Sequence, residues 1–112
     1  MTKLTTLSCV ACSGDSPLAT AEEIDTLRLQ VPEWSILNSE GIGKLERVFE
    51  FSNFIQALEF TNDVGNLAEQ ENHHPAILTE WGRVTVTWWT HKIGGLHHND
   101  FVAAAKTDKL LT

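Results

Sequence analysis

Residues 83–91 have the sequence RVTVTWWTH, and this run is the strongest strand signal in the chain. β-Branched and aromatic residues favour extended backbone, so the run predicts a single strand that ends at His91. Gly82 predicts a turn before it, and residues 76–81 predict a partner strand. Because so short a connection joins antiparallel strands, the two segments predict a β-hairpin.

A second hairpin is predicted earlier in the chain. Residues 34–37 predict a short strand, and residues 38–41 (Asn-Ser-Glu-Gly) predict a turn. Residues 44–51 alternate between apolar and charged side chains, which is typical of a half-buried antiparallel strand. The predicted inward face of this strand holds Leu45, Arg47, Phe49 and Phe51.

Helical patterns stand before and between the hairpins. The first helix is predicted to begin after Thr20, a favourable N-cap, and to be ended by Pro32. A long helix is predicted to begin after Ser52 and to run to about Gln70, because apolar residues recur there at steps of three and four. Its predicted buried face comprises Phe54, Ala57, Leu58, Thr61, Val64, Gly65 and Ala68.

A last helix is predicted to begin at His98 or Asn99. Its predicted apolar face comprises Phe101, Ala104, Ala105, Leu110 and Leu111. The element order is then α-β-β-α-β-β-α, which predicts the α+β class: a two-layer domain with a four-stranded antiparallel sheet covered on one face by helices. Residues 1–19 predict an irregular N-terminal arm, and residues 20–112 predict one domain.

Charge and hydropathy narrow the possible partners. The 112 residues carry a formal net charge of −7. Phosphate backbones and anionic membranes attract basic surfaces, so this charge argues against direct binding of nucleic acid or of a membrane. The sequence has no apolar run of about 18 residues, and its first residues do not resemble a signal peptide. We therefore expect a cytoplasmic protein.

Cys9 and Cys12 are the two cysteines, at Cys-x-x-Cys spacing. Such a pair could be half of a zinc site or a redox dithiol. A four-thiolate zinc site needs two more cysteines than the chain has, and no strand leads into the pair as in thioredoxin-like proteins. The sequence favours an exposed, reduced pair in the arm.

All five histidines fall between His73 and His98, together with three of the four tryptophans. Imidazole exchanges protons near neutral pH, and these residues sit at the ends of predicted elements, where loops carry function. Three interpretations compete: metal ligation, hydrogen-bonded or exposed structural histidines, and acid–base chemistry on a ring substrate. The His-x-x-x-His spacing of helical zinc sites is absent, which disfavours metal. Composition does not choose between the other two.

A long, gapped pattern runs through this region and resembles the signature of the pterin-4a-carbinolamine dehydratases. Its anchors are Glu69, His73, His74, Pro75, Trp81, His91 and Asp100. Other typical segments are Trp34-Ser35, Phe49-x-Phe51-x-x-Phe54 and Thr90-His91-Lys92. The resemblance covers the chain from about residue 20 onward.

This resemblance implies a dehydratase that converts 4a-hydroxytetrahydropterin to quinonoid dihydropterin and water, recycling tetrahydrobiopterin for aromatic amino acid hydroxylation without any cofactor. It implies His73, His74 and His91 as catalytic residues, with Glu69 and Asp100 as supporting carboxylates that fix imidazole tautomers. The implied pterin contacts are Asn72, His73, His74, Trp89, Thr90, His91, Lys92 and, at the mouth of the site, Trp34.

Some positions depart from the family pattern or admit a plainer role. Ala76 stands where the family often has an acid, and His97-His98 replaces a hydroxyl-containing helix start; we expect that pair to be exposed and non-catalytic. Trp81 and Trp88 are expected in the core or an interface. Asp100 equally suits the first turn of a helix.

Two other functions remain open. One is a pterin or molybdopterin-related accessory function with another substrate. The other is a non-catalytic dimerisation or interaction module, since animal members of the family also act as dimerising partners of a homeodomain transcription factor. The resemblance implies a homodimer or homotetramer, and unpaired strand edges make pairing between copies reasonable.

Overall fold

The computed structural model describes residues 3–10 and 16–111, and within them the predicted fold class is confirmed. Helices cover one face of a four-stranded antiparallel sheet, in the predicted order α-β-β-α-β-β-α. The elements are α1 (Ala21–Leu27), β1 (Ser35–Ser39), β2 (Ile42–Glu50), α2 (Phe54–Glu71), β3 (Ala76–Glu80), β4 (Arg83–Trp88) and α3 (His98–Lys109). No helix in these described residues is long and apolar enough to cross a membrane.

The two hairpins join at their second strands, so the sheet order is β1-β2-β4-β3. In this register Leu45 lies opposite Trp88, and Phe49 lies opposite Val84. These four side chains face the helices and are buried. The predicted turn between β1 and β2 is confirmed, and Gly41 occupies it with a φ of 83°, a conformation that glycine adopts without steric cost.

The N-cap of α1 matches its prediction, and that of α2 does not. The Thr20 side chain accepts a hydrogen bond from the Glu23 N–H, and the Glu23 side chain accepts one from the Thr20 N–H. The two bonds form a capping box. At α2 the cap is Asn53, whose Oδ1 accepts from the Gln56 N–H at 2.8 Å. Ser52 lies one residue too early, because Asn53 is the residue with extended backbone before the first helical turn.

The buried face of α2 is rotated from the predicted one. Phe54 and Leu58 are 42% and 40% exposed, whereas Phe60 and Leu67, outside the predicted face, are buried. Apolar residues occupy more than one stripe of this helix, and periodicity alone does not tell which stripe meets the sheet. The stripe that does so comprises Ala57, Phe60, Val64, Leu67 and Ala68.

Strand β4 ends at Trp88, three residues earlier than predicted. The Thr90 N–H then donates to the Gly95 carbonyl at 2.9 Å, and His91–Ile93 form a 3-10 turn. Gly94, with a φ of 64°, closes this turn. The predicted end of this strand at His91 is therefore wrong, because His91 lies in the turn.

Helix α3 supplies much of the core, through Phe101 and the residues up to Ala105. The buried indole of Trp88 donates to Thr107 Oγ1 at 3.1 Å, as suits the expected core position. Trp81 is 73% exposed in the turn after β3, so of its two expected positions the core is wrong and the interface stays a prediction. Leu110 and Leu111 are also exposed, because α3 ends at Lys109 before they can face the sheet.

The described part of the N-terminal arm packs against the rest of the chain. Leu4–Thr6 form one 3-10 turn, and the side chain of Leu4 is buried. Cys9 is half-buried against the core, so its expected exposure is wrong, and Cys12 lies outside the described residues. Burial first, and then the nearby carboxylates of Glu71 and Asp100, raise the pKa of the Cys9 thiol to about 12.

Candidate active site

Asp100 organises the first turn of α3 and one histidine at the same time. Its Oδ1 lies 2.6 Å from His73 Nε2, while its Oδ2 accepts from Thr90 Oγ1 at 2.8 Å and from the His97 N–H at 2.9 Å. His97 Nδ1 in turn accepts from the Asn99 N–H at 3.0 Å, so the backbone and the side chain of His97 both bond the first turn of α3. Asp100 is thus a first-turn carboxylate of α3 and, at the same time, a hydrogen-bond partner of His73.

The Asp100 carboxylate also fixes the tautomer of His73. A carboxylate only accepts hydrogen bonds, so Nε2 of His73 carries the proton and donates it. The His73 ring stacks on Trp88 at a centroid distance of 5.5 Å and an interplanar angle of 9°. With only 10% of its side chain exposed, His73 is held both by a directed bond and by packing.

The end of α2 presents the two adjacent histidines. Asn72 caps the helix in the left-handed conformation (φ 51°, ψ 41°), which asparagine tolerates better than most residues. Pro75 disfavours further helix at the residue before it. His74, just outside the helix, places its Nε2 2.5 Å from Glu69 Oε2, and both side chains are largely exposed.

His91 approaches the same region from the turn after β4. Its ring lies against Trp89 with centroids 4.3 Å apart, and Lys44 Nζ lies 4.1 Å from the centre of the Trp89 ring. His91 is exposed. It differs in this respect from His73, which is nearly buried.

These side chains surround an open pocket of about 340 Å³, a size that suits a small-molecule ligand. The structure brings six of the predicted site residues to it: Asn72, His73, His74, Thr90, His91 and Lys92. Three more, Trp89, Glu69 and Asp100, touch a histidine of the pocket from behind or beside it. Three of the five histidines of that window, His73, His74 and His91, are thus brought together at one pocket.

Trp34 is the predicted site residue that is not brought to this pocket. Its buried indole donates to Asp108 Oδ1 at 2.8 Å, beside a salt bridge from Arg47 to the same oxygen. Asp108 follows Asp100 by eight residues on one helix, which is about 12 Å along the axis. Burial raises the pKa of the Asp108 carboxyl, although the bonds from Trp34 and Arg47 oppose that shift.

Four pocket residues were missed by the sequence reasoning: Cys9, Val10, Glu71 and Asn99. Glu71 ends α2 and Asn99 precedes Asp100, so both stand beside residues that were predicted. Burial by itself would raise the pKa of Glu71, but hydrogen bonds from Lys106 and the Cys9 backbone lower it overall. No local pattern in the sequence indicates that the arm reaches these residues.

The second histidine pair, His97 and His98, does not line this pocket. His97 caps α3, and His98 lines a separate surface depression with Glu22 and Glu23. Both are half-buried, so their expected exposure is wrong. Among residues 3–10 and 16–111, no three His, Cys, Asp or Glu side chains are grouped in a way that could hold a metal ion.

Sequence comparisons give a consistent result over nearly the whole chain. The family model described as pterin 4 alpha carbinolamine dehydratase matches residues 17–110. A protein of Syntrophotalea carbinolica, named "Putative pterin-4-alpha-carbinolamine dehydratase", is 59% identical over 99% of both chains. A protein of Marinobacter nauticus with the same name is 58% identical, over 98% of this chain and 99% of its own.

Two solved structures are similar in fold. One, described as a transcriptional coactivator/pterin dehydratase from Brucella melitensis, has a TM-score of 0.76 and 26% identity, covering 86% of this chain and all of that one. The other is described as a pterin dehydratase-like protein that is a RuBisCO assembly factor in the alpha-carboxysome. It has a TM-score of 0.60 and 23% identity over 70% of this chain and 88% of that one, a likeness of fold alone.

Proposed function

The chain belongs to the pterin 4 alpha carbinolamine dehydratase family, and we propose that it dehydrates 4a-hydroxytetrahydropterin by histidine acid–base catalysis. The observation that carries this proposal is the convergence of His73, His74 and His91 on one pocket. Two of the three are held by carboxylates. Such groups suit pterin dehydration, because the reaction delivers one proton to the leaving oxygen and removes another from N5.

The reaction can be written with its protons balanced. The bond between C4a and the hydroxyl oxygen breaks, and the leaving oxygen takes a proton to become water. The N5–H proton goes to a base, and its electron pair forms the C4a=N5 double bond of quinonoid dihydropterin. One imidazolium and one neutral imidazole suffice, and each positioned transfer contributes typically about 10²–10⁴-fold.

The three histidines differ in how freely they can take part. His74 and His91 are exposed at the pocket, so we propose that they exchange protons with the substrate. His73 is held by Asp100 Oδ1 and by the ring of Trp88. With Nε2 committed to Asp100, Nδ1 of the neutral ring remains as an acceptor for a substrate N–H.

We propose that Asn72, Thr90, Lys92 and Trp89 contribute the remaining contacts with the pterin. The first three line the pocket, and Trp89 supports the ring of His91. A neutral pterin needs no basic patch to attract it, which is compatible with the net charge of −7. Trp34, at the other end of α3, has no part in this proposal.

We further propose that the reaction needs no metal or organic cofactor and serves the recycling of tetrahydrobiopterin for aromatic amino acid hydroxylation. The chemistry supports the first point, since both steps are proton transfers that imidazole can perform at neutral pH. Dialysis against EDTA is expected to leave the rate unchanged. The cytoplasmic location and the homodimer or homotetramer stay predictions.

A stopped-flow assay of carbinolamine decay tests the proposed function, with the uncatalysed decay measured in parallel. Wild type is expected to accelerate the decay, and His74→Ala and His91→Ala are expected to reduce that acceleration without lowering the melting temperature greatly. His98→Ala is the matched control, because His98 lies outside the pocket, and it should keep the wild-type rate. A wild-type chain that leaves the decay rate unchanged would refute the proposal.

An interaction module is the second candidate, supported by the coactivator named in the description of the Brucella melitensis protein. The sheet face away from the helices carries the exposed side chains of Val48 and Leu78, which a partner could cover. This candidate predicts complexes that survive His73→Ala and His74→Ala. Complex formation that fails whenever the pocket is altered would count against it.

A further inference from the structure

The N-terminal arm contributes a wall of the candidate active site. Cys9 and Val10 both line the pocket that holds the three histidines. They precede the predicted domain in sequence, and nothing in the family signature above involves them. Their place at the site therefore depends on whatever holds the arm against α2 and α3.

Asn99 holds the backbone of Val10 on both sides. Its Oδ1 accepts from the Val10 N–H at 2.9 Å, and its Nδ2 donates to the Val10 carbonyl at 2.8 Å. Asn99 is itself buried, and these two bonds provide its side-chain amide with hydrogen-bond partners. One buried amide thus satisfies both polar groups of one arm residue.

Glu71 holds the preceding residue from the other helix. Its Oε1 accepts from the Cys9 N–H at 2.8 Å, and its Oε2 accepts from Lys106 Nζ at 2.8 Å. Cys9 Sγ lies 3.5 Å from the Asn99 carbonyl oxygen. The arm is therefore fixed to the end of α2 and the first turn of α3, the two places that also present His73, His74 and Asp100.

Val10 is 62% exposed although its backbone is held so closely. An exposed apolar side chain, fixed at the edge of a pocket whose other lining residues are mostly polar, is suited to cover an apolar part of a ligand. We propose that Val10 contacts the bound pterin away from its reacting edge, and that Asn99 and Glu71 are positioning residues that hold Val10 there. This inference rests on the proposed function.

The inference predicts a specific kinetic signature. Val10 has no group that exchanges protons, so it contacts substrate and transition state equally and its loss raises KM while kcat stays the same. Val10→Ala removes two methyl groups, and we expect KM to rise about threefold to tenfold. Asn99→Leu removes both bonds to the arm, and KM should rise at least as much with kcat within about twofold of wild type.

Gln30→Leu is the matched control. Gln30 Oε1 accepts from the Leu4 N–H at 2.9 Å, so this change loosens the same arm at a residue that does not line the pocket. It should lower the melting temperature without changing KM. A KM that rises equally in Gln30→Leu would show that arm stability in general, rather than the Val10 contact, is responsible, and would overturn the inference.

The experiment separates this inference from the proposed function. If wild type is active and Val10→Ala keeps the wild-type KM, the inference fails and the dehydratase stands. If wild type is inactive, the dissociation constant of an unreactive 7,8-dihydropterin, measured by tryptophan fluorescence, takes the place of KM. Weaker binding by Val10→Ala then supports the inference, and unchanged binding refutes it. A wild type that neither turns over nor binds refutes both. Should Asn99→Leu fail to fold, Val10→Ala decides alone, since its side chain is mostly exposed.

Discussion

Asp100→Asn is expected to reverse the tautomer of His73 while leaving the fold intact. Asp100 accepts three hydrogen bonds, from His73 Nε2, Thr90 Oγ1 and the His97 N–H. In the asparagine the amide oxygen can keep the bonds from Thr90 and His97, which share Oδ2 in the wild type. The amide nitrogen then faces His73 and donates a hydrogen bond to its Nε2. Nε2 must become an acceptor, and the ring proton moves to Nδ1.

The size of the effect follows from this exchange. The number of hydrogen bonds is kept, but three bonds to a carboxylate become neutral, which should cost about 1–2 kcal/mol. For a domain of this length that lowers the melting temperature by roughly 3–8 °C. If His73 must accept from the substrate at Nδ1, the reversed ring presents a donor there instead. The catalysed rate should then fall by about 10²-fold or more.

Three measurements test the reasoning: stopped-flow decay of the carbinolamine, thermal unfolding, and the ¹⁵N spectrum of the His73 ring. Asp108→Asn is the matched control, because Asp108 lies on the same helix and bonds Trp34 and Arg47 instead of a histidine. It should keep the wild-type rate. A wild-type rate in Asp100→Asn with a proton on Nδ1, or an equal loss in both variants, would refute the proposed role of the tautomer.

Three further predictions concern the arm and the assembly. In a Cys12→Ser background, the high pKa of Cys9 (about 12) should make alkylation at pH 8 more than about 100-fold slower in the folded chain than in urea; equal rates would contradict its burial. In the folded chain Glu71 has a pKa below its ordinary value of 4.5, so its ionised form stabilises the fold above pH 4.5. This stabilisation is lost as the pH falls from 4.5 through the lower pKa of the folded state. Glu71→Gln should therefore lower the free energy of unfolding by roughly 1 kcal/mol at pH 7 and by less at pH 3, as urea titrations would detect. Sedimentation should find dimers or tetramers, since β1 and β3 are sheet edges; a monomer alone would contradict this.

Helix α2 shows where sequence reasoning about the fold succeeds and where it stops. Its existence and approximate end were predicted, because apolar periodicity and Pro75 are local features. Its buried face was predicted only in part. Ala57, Val64 and Ala68 are buried as predicted, but Phe54 and Leu58 are exposed and Phe60 is buried. Which apolar stripe meets the sheet depends on how the helix is set against the strands, and that is decided by packing over the whole domain.

The turn after β4 shows the same limit over a shorter distance. The β-branched and aromatic run predicted a strand as far as His91, but pairing stops at Trp88. The strand gives way there to a turn closed by Gly94 and by the pairing of Thr90 with Gly95. Strand propensity describes how well a residue suits a sheet, whereas the end of a strand depends on where a neighbouring strand is available for backbone pairing.

The sequence by itself determined the order of helices and strands, the class of the fold and the residues of the family signature, because periodicity, caps and turns act between near neighbours. The tertiary structure alone decided how those residues meet. Asp100 reaches His73 across 27 residues and Asn99 reaches Val10 across 89. Those contacts form only when α2, α3 and the arm pack together. The pairing of a particular carboxylate or amide with its partner is therefore a property of the folded domain.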